Sequence, residues 1–470
     1  MVFSSLIFLF FFLPFILIGN YLWRNRAWQN IFLLVGSLVF YAWGEQDKVI
    51  IMIVSILFNY AFGILIERKE KLLSRNILLA IGVTLNLSTL VYFKYASFFV
   101  SIYNDFLDAL SLSPVVIEEY ATLPIGISFY TFQSISYLVD VSRRQTSAQK
   151  NVINLGLYIS LFPQLIAGPI VRYQEIEDQL VNRFSNLTQF NEGIRRFVRG
   201  LGKKVLIADP IAYIVDEIFM LSVGELTTPI AWFAALCYGI QVYFDFSGYS
   251  DMAIGLGKMF GFKFPENFNY PFKARSIRDF WTRWHMTLSI WFRDYLYIPL
   301  GGNRKGKVRT LFNLFTIFFV VGLWHGANWN FINYGLYMGI FIVIEKVIYD
   351  RTLGHLPSIL QTIYMLLIVN VGWIIFRLED AAALDDFLQI MFGFKSTDSN
   401  YTINMFTGYY SSFLIVLGAL LSYPTLEYFK IDKFIHDRPI IDWLLYFSIF
   451  ILSVVEIVNN VYSPFIYFRF

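Results

Sequence analysis

Cysteine is almost absent from this 470-residue chain, and the single Cys237 sits in an apolar run. That excludes an internal disulfide framework and any cysteine-based zinc or iron–sulfur site, and leaves Cys237 as a small buried hydrophobe. Histidine is scarce too. The four present (His285, His325, His355 and His436) show no HExxH-type spacing, so no metal site is expected. Charge is thin: Asp, Glu, Lys and Arg make up 15% of the chain, against about 25% in a soluble domain. No G-x-S-x-G string supports a Ser-His-Asp hydrolase elbow, and no Walker A motif supports ATP hydrolysis. No internal repeat pair suggests an inverted-repeat transporter.

What fills the chain instead is apolar. Hydrophobic residues reach 57% and aromatic residues 19%, with 50 Phe, 30 Tyr and 11 Trp, and the mean hydropathy is +0.56. Such a composition suits membrane interiors and interface belts and excludes a soluble globule, a disordered chain and a fibre. Apolar segments run over about 3–22, 30–43, 49–66, 76–102, 123–141, 152–170, 205–221, 228–246, 311–324, 329–349, 358–377, 409–423 and 440–460. Several are shorter than about 17 residues or are interrupted, so not all of them span. The expected fold is all-α and polytopic, with about 11 transmembrane helices plus re-entrant and interfacial helices. A single domain over 1–470 is expected, with its catalytic core at about 120–350.

The charges supply a sidedness. The first apolar run lacks a basic n-region and a small-residue cleavage site, and Arg24 and Arg26 follow it. It therefore reads as a retained helix with its N-terminus outside. Threading on places Arg68, Lys69, Lys71 and Arg75, then Arg143, Arg144 and Lys150, on the same inner side. Asp105, Asp108, Glu118 and Glu119 fall outside, with no Lys or Arg between Ser101 and Arg143. The net of 37 − 34 = +3 hides this asymmetry. Segment 152–170 breaks the alternation, because Lys150 precedes it and Arg172, Arg183, Arg195, Arg196 and Arg199 follow it. Its centre, Phe162-Pro163-Gln164-Leu165-Ile166-Ala167-Gly168-Pro169, suits a re-entrant turn. Non-helical backbone at that depth needs a protein or cavity lining.

The stretch 247–310 is basic and aromatic. Arg278 to Arg293 carries Trp281, Trp284 and Trp291 at helical spacing and is expected to form an interfacial amphipathic helix. Its cations serve as anchors to the inner leaflet, as a mouth for an anionic donor, or as both. Nucleic acid binding is not expected, since the aromatics lie on the buried face. On that helix His285 follows Trp281 and precedes Ser289 by one turn each, as an interface histidine or a functional one. His325 lies sixteen residues beyond Arg309, about 24 Å of helix, and so deep in an apolar layer of about 30 Å. A buried ionisable group there is a functional candidate, suited to general base work; a hydrogen-bonded structural histidine is the alternative. Gly322 and Gly326 flank it. Asp245 and Asp251 stand at a helix break as caps or tunnel lining, and Gly257/Gly261 and Gly335/Gly339 have helix-packing spacing. Tyr467 is an aromatic interface anchor or an acyl-carrying phenol.

These strings resemble a known family. Trp281-x-x-Trp284-His285-Met286-Thr287-Leu288-Ser289, Ile298-Pro299-Leu300-Gly301-Gly302-Asn303-Arg304 and Gly322-Leu323-Trp324-His325-Gly326-Ala327 look like motifs of the membrane-bound O-acyltransferases. Pro124–Phe129, Phe162–Pro169 and Asp245–Asp251 extend the likeness over most of the chain. It is greatest to the bacterial branch with alginate and peptidoglycan O-acetyltransferases, with the D-alanyl transferase of teichoic acids as a cousin.

The resemblance implies tilted helices around a funnel, His325 as the catalytic histidine and His285 as a functional second one. It implies acetyl-CoA as a cytoplasmic donor, no tightly bound cofactor, and a periplasmic SGNH-like acetyltransferase partner. Trp324, Asn328, Trp281, Trp284, Ser289, Arg293, Asp245 and Gln164 are then expected to line the tunnel or bind the donor. Similarity of the C-terminal string to the acyl-carrying end of a small teichoic-acid partner peptide implies Tyr467 as a relay. The expected function is O-acetylation of a cell-envelope polysaccharide from the bacterial inner membrane. Composition favours peptidoglycan over an alginate-like polymer as acceptor; D-alanyl transfer and a solute channel are the alternatives.

Overall fold

Backbone N–H and C=O groups in an apolar layer must bond within the chain, and helices do this segment by segment. A computed structural model describes residues 1–116, 122–349 and 352–459, and among the described residues helices form and no strand does. Seven runs are long and apolar enough to cross a membrane, and Phe8–Leu22 and Tyr409–Leu421 are shorter apolar helices. The longest run, Arg26–Glu67, covers 42 residues, about twice what one crossing needs. It is interrupted at Gln46, where φ is +32°. The chain divides into two compact units: Met1–Ile194 with Ala253–Pro265, and Arg195–Met252 with Glu266–Phe470.

The first unit begins with a wide helical turn, Phe8–Phe12, that runs into α1 (Leu13–Leu22). Then come α2 (Arg26–Glu45), α3 (Val49–Glu67), α4 (Leu72–Ala109) and α5 (Ile127–Ser142). The side chain of Asn25 caps α2, accepting from Ala27 N at 2.8 Å. Inside α3 and α4, Asn59 and Asn86 exchange amide hydrogen bonds of 3.1 and 2.9 Å. Polar pairs of this kind hold apolar helices together where the hydrophobic effect does not discriminate. Nearly all of α5 is buried, packed on α3 and α4.

The segment expected to be re-entrant forms α6 (Val152–Ser160) and α7 (Phe162–Leu165), with an extended break at Leu161. The freed amide of Phe162 donates to Ser37 Oγ at 3.1 Å. Residues 155–171 are buried throughout, so the irregular backbone is lined by protein, as its depth demands. Gln164 is spent here, its amide donating to the Tyr158 carbonyl. α8 (Tyr173–Asn182) and α9 (Leu187–Gly202) follow.

The second unit holds α10 (Asp209–Phe219), most of α11 (Thr228–Met259), α12 (Ile277–Trp281), α13 (Met286–Phe292), α14 (Lys307–His325), α15 (Trp329–Ile348) and α16 (Ser358–Arg377). It closes with α17 (Ala381–Met391), α18 (Tyr409–Leu421), α19 (Thr425–Tyr428), α20 (Ile431–His436) and α21 (Pro439–Asn459). Its buried charges are paired. Lys204 bridges Asp209 and Asp245 at 2.6 Å each, and Lys203 meets Asp251 at 2.7 Å. Arg196 bridges Asp251 and Glu266, and Arg195 meets Asp442 on α21, all at 2.6 Å.

The expected interfacial helix over 278–293 does not form as one element. It breaks after Trp281 into α12 and α13, with His285 in the left-handed region between them at φ +44°. Phe280, Trp281, Trp284, Trp291 and Phe292 are buried, so the aromatic residues face the protein core instead of lying along an interface. The alignment of Trp281, His285 and Ser289 on one helical face therefore falls as well. Glu345 on α15 fixes the start of α12, its carboxylate accepting from the amides of Ile277 (2.7 Å) and Arg278 (3.0 Å).

Helices α14 and α15 are joined by three residues and pack at backbone distance. A Cβ on Gly322 would lie 2.5 Å from the Phe331 carbonyl oxygen and 2.8 Å from Gly335 Cα. Both neighbours are backbone and have nowhere to go. Gly322→Val should cost more than the roughly 1–3 kcal/mol of ordinary overpacking and lower the thermal midpoint of the detergent-solubilised protein. Gly224→Val, with nothing within 4 Å, should leave the midpoint unchanged in the same melt.

Candidate active site

The second unit brings His285 and His325 together in one buried aromatic cluster. His325 is the last residue of α14 and 5% exposed, and the chain leaves the helix at the extended Gly326. A Cβ on Gly326 would lie 2.2 Å from the Phe331 ring, so only glycine lets the turn close here. The His325 ring lies 5.0 Å from that of Trp324, 5.1 Å edge-on to Phe376 and 6.0 Å from Tyr334. Trp324 bridges the pair, since its ring is also 6.0 Å from that of His285.

His285 is 1% exposed. Its ring stands edge-on to Phe246 of α11 at 4.7 Å, and its Nδ1 lies 3.0 Å from Asn267 Oδ1. Its Nε2 is buried and has no hydrogen-bond partner among the described residues. The turn that carries it lies outside the seven apolar runs. Burial, with the charge of His325 adding to it, holds the His285 imidazole well below its usual range, so it is neutral at pH 7.

The neighbouring tryptophans build the walls. Trp284 stacks on Phe280 at 5.5 Å and packs on Phe268 (5.1 Å) and Trp373 (5.0 Å). Trp281 lies 5.4 Å from Phe318 of α14, and its buried indole N–H has no partner among the described residues. Its carbonyl accepts from Ser289 Oγ at 3.0 Å, so Ser289 ties the broken helix together.

Four other expected residues have partners or positions of their own. Asn328 caps α15, accepting from Trp329 N at 2.6 Å and donating to Glu379 at 3.1 Å. Asp245 is an ion-pair partner of Lys204, and exposed Arg293 pairs with Asp294 at 2.7 Å. Gln164 belongs to the first unit. Tyr467 lies outside the described residues. Asn267, Glu345 and Phe246 were missed. Asn267 sits in the irregular segment between α11 and α12, where neither periodicity nor spacing points to a histidine eighteen residues ahead.

The arrangement offers two imidazoles in an aromatic, water-poor setting. A neutral imidazole takes a proton from a hydroxyl as a general base, and exclusion of water protects a thioester from hydrolysis.

The membrane-bound O-acyltransferase family profile (MBOAT) matches residues 71–376, which include both histidines. A protein named probable alginate O-acetylase, from Pseudomonas putida, is 41% identical over the whole of both chains. The peptidoglycan O-acetyltransferase of Helicobacter pylori is 34% identical over 84% of this chain and 79% of its own. The teichoic acid D-alanyltransferase of Bacillus subtilis is 29% identical over 54% of this chain and 67% of its own.

The depressed His285 has a thermodynamic consequence. In the unfolded chain its pKa is about 6.5, so the unfolded state binds the extra proton first. The stability held above that pH is lost as pH falls. Thermal midpoints should therefore drop below about pH 6.5, and His285→Gln should flatten part of that drop while leaving the alkaline side of the curve in place.

Proposed function

This chain belongs to the membrane-bound O-acyltransferase family, and from that membership we propose that it moves acetyl groups from cytoplasmic acetyl-CoA toward an extracytoplasmic polysaccharide. It is a multi-pass membrane acyltransferase. The observation that carries the proposal is the buried pair His285 and His325, bridged by Trp324 in the second unit. An acceptor hydroxyl attacks the thioester carbonyl carbon. The new C–O bond forms, the C–S bond breaks, and the hydroxyl proton passes to His325 and on to the departing thiolate of coenzyme A. Buried indoles and phenyl rings keep water from competing for the acyl group.

Charge supports the direction of supply. Arg304, Lys305, Lys307 and Arg309 are exposed around the start of α14, at the end opposite His325. A cluster of that sign attracts the phosphates of coenzyme A and the acidic inner leaflet alike. The basic loops also support an N-terminus outside, and the family membership supports a bacterial inner membrane as the location. Tyr467, beyond the matched region, is the candidate relay that carries acetyl outward before a periplasmic transferase, SGNH-like in the expectation above, receives it. Among acceptors an alginate-like polymer stands ahead of peptidoglycan, because identity to the alginate O-acetylase relative is higher and spans both chains. That similarity outweighs the compositional hint toward peptidoglycan.

His325→Ala should lower labelled acetyl transfer from acetyl-CoA by about a hundred- to ten-thousand-fold, with the protein still present in the membrane at the wild-type level. Transfer at the wild-type rate in that variant removes the mechanism. Tyr467→Phe separates the relay: full delivery to polysaccharide without the phenol takes Tyr467 off the path.

A further inference from the structure

Asn267 lies in no helix, yet it is 1% exposed and every polar atom of its side chain is engaged. Its Oδ1 receives Thr287 Oγ1 at 2.9 Å and the Thr287 backbone amide at 3.3 Å, and stands 3.0 Å from His285 Nδ1. Its Nδ2 donates to Ser250 Oγ at 3.0 Å. Its own carbonyl accepts from Met286 N at 2.9 Å. One residue thus holds three consecutive positions, 285 to 287, by side chain and main chain together.

The backbone amide of Thr287 settles which way the amide of Asn267 points. An N–H of the main chain only donates, so the atom facing it is the oxygen; the flipped amide would set two donors against each other. That oxygen also faces His285 Nδ1, which must then carry the hydrogen. In the neutral ring the lone pair is left on Nε2, the buried atom that has no partner among the described residues. The left-handed backbone of His285, φ +44° and ψ 53°, is uncommon for a residue with a Cβ, and strained conformations of this kind persist where the surroundings over-determine them. The Asn267 contacts do so.

We infer that Asn267 is a positioning residue that locks His285 as the Nδ1–H tautomer, so that His285 meets substrate through Nε2 as a hydrogen-bond acceptor and not as a donor to the thioester oxygen. The group it takes is an N–H or O–H of the bound donor or acceptor molecule. The role toward substrate rests on the acyl transfer proposed above; the tautomer does not. The division of labour follows. His325 handles the reacting proton, and His285 orients a substrate group from the opposite side of Trp324.

The test uses the full-length protein in lipid bilayers with ¹⁵N-labelled histidine, the His285 signals being assigned by their loss in His285→Gln. The wild type should show a protonated Nδ1 and a bare Nε2, and Asn267→Ala should give a mixture of tautomers. A protonated Nε2 in the wild type, or no change in Asn267→Ala, overturns the inference. In acetyl transfer, Asn267→Ala should lower kcat by at least about tenfold with KM for acetyl-CoA within about twofold of wild type. Asn267→Asp keeps the oxygen but adds a charge that favours the imidazolium. Its activity should return on the alkaline side, with the acid limb moved up by about one pH unit or more. Matching kcat and pH profiles in all three proteins would sink the positioning role. If Asn267→Ala does not accumulate in the membrane, the wild-type spectrum and the Asn267→Asp profile decide. Absence of acetyl-CoA turnover in the wild type would count against the acyl-transfer proposal, while the spectrum still judges the tautomer.

Discussion

The hydrogen bonds that join Asn267 to the turn at 285–287 are the interaction on which the second unit's site depends. A left-handed residue with a Cβ costs of order 1–3 kcal/mol, and each buried amide left without a partner costs about as much again. Asn267 and Glu345 remove these penalties from the two ends of the same short stretch, Asn267 at Met286 and Thr287 and Glu345 at Ile277 and Arg278. Four ordinary hydrogen bonds at about 0.5–1.5 kcal/mol each match or outweigh the cost of one strained residue. Between the two clamps the chain reverses from α12 into α13, and the imidazole is aimed away from any helical face. Phe246 and Trp324 then pack on the ring edges and faces.

The buried carboxylates serve a different purpose. Asp245 and Asp251 look like acid–base candidates in a membrane, but both are held by lysine or arginine on the adjoining segment 195–204. Removing two charges from water costs more than their attraction returns unless the geometry is close and further hydrogen bonds remain. What such pairs supply is registration: Lys203 and Lys204, neighbours in sequence, reach Asp251 and Asp245, six residues apart on α11. That contact fixes how the turn of wide helix at Lys203–Ala208 lies on α11. It also ties both carboxylates to cations of that segment.

Much of this was legible in the sequence, for reasons that differ by element. The apolar helices follow from composition and length, because a bilayer-sized run of Phe, Leu and Ile has few other solutions. The burial of His325 was legible from its place at the far end of an apolar run, and α14 carries it as the last residue of an unbroken helix from Lys307. The break at Leu161 is announced by Pro163, Gly168 and Pro169. His285 was misplaced because Arg278 to Arg293 keeps helical spacing of its tryptophans without a glycine or proline to mark the interruption. The device that interrupts it is tertiary: Asn267 and Glu345 come from segments distant in sequence, and a lone Asn or Glu has no periodic signature. Asn328, Ser289 and Asp245 illustrate the converse. Their residue types suggested a polar tunnel, and each also makes a cap, a turn or an ion pair that only the fold assembles.

The pairing of two histidines in a dry aromatic setting constrains the chemistry further. A proton on one imidazole disfavours a proton on the other, as the effect of His325 on His285 shows, and low dielectric strengthens that opposition. Burial first, and His325 beside it, both disfavour a charged His285. Acyl transfer from a thioester to a hydroxyl moves one proton, taken from the attacking oxygen and returned to the leaving sulfur. With the Nδ1–H of His285 given to Asn267 in the tautomer inferred above, the proposed transfer routes the reacting proton to His325, the last residue of α14. In that proposal the clamped turn keeps His285 neutral and presents its Nε2 as an acceptor, while proton transfer falls to the histidine at the helix end.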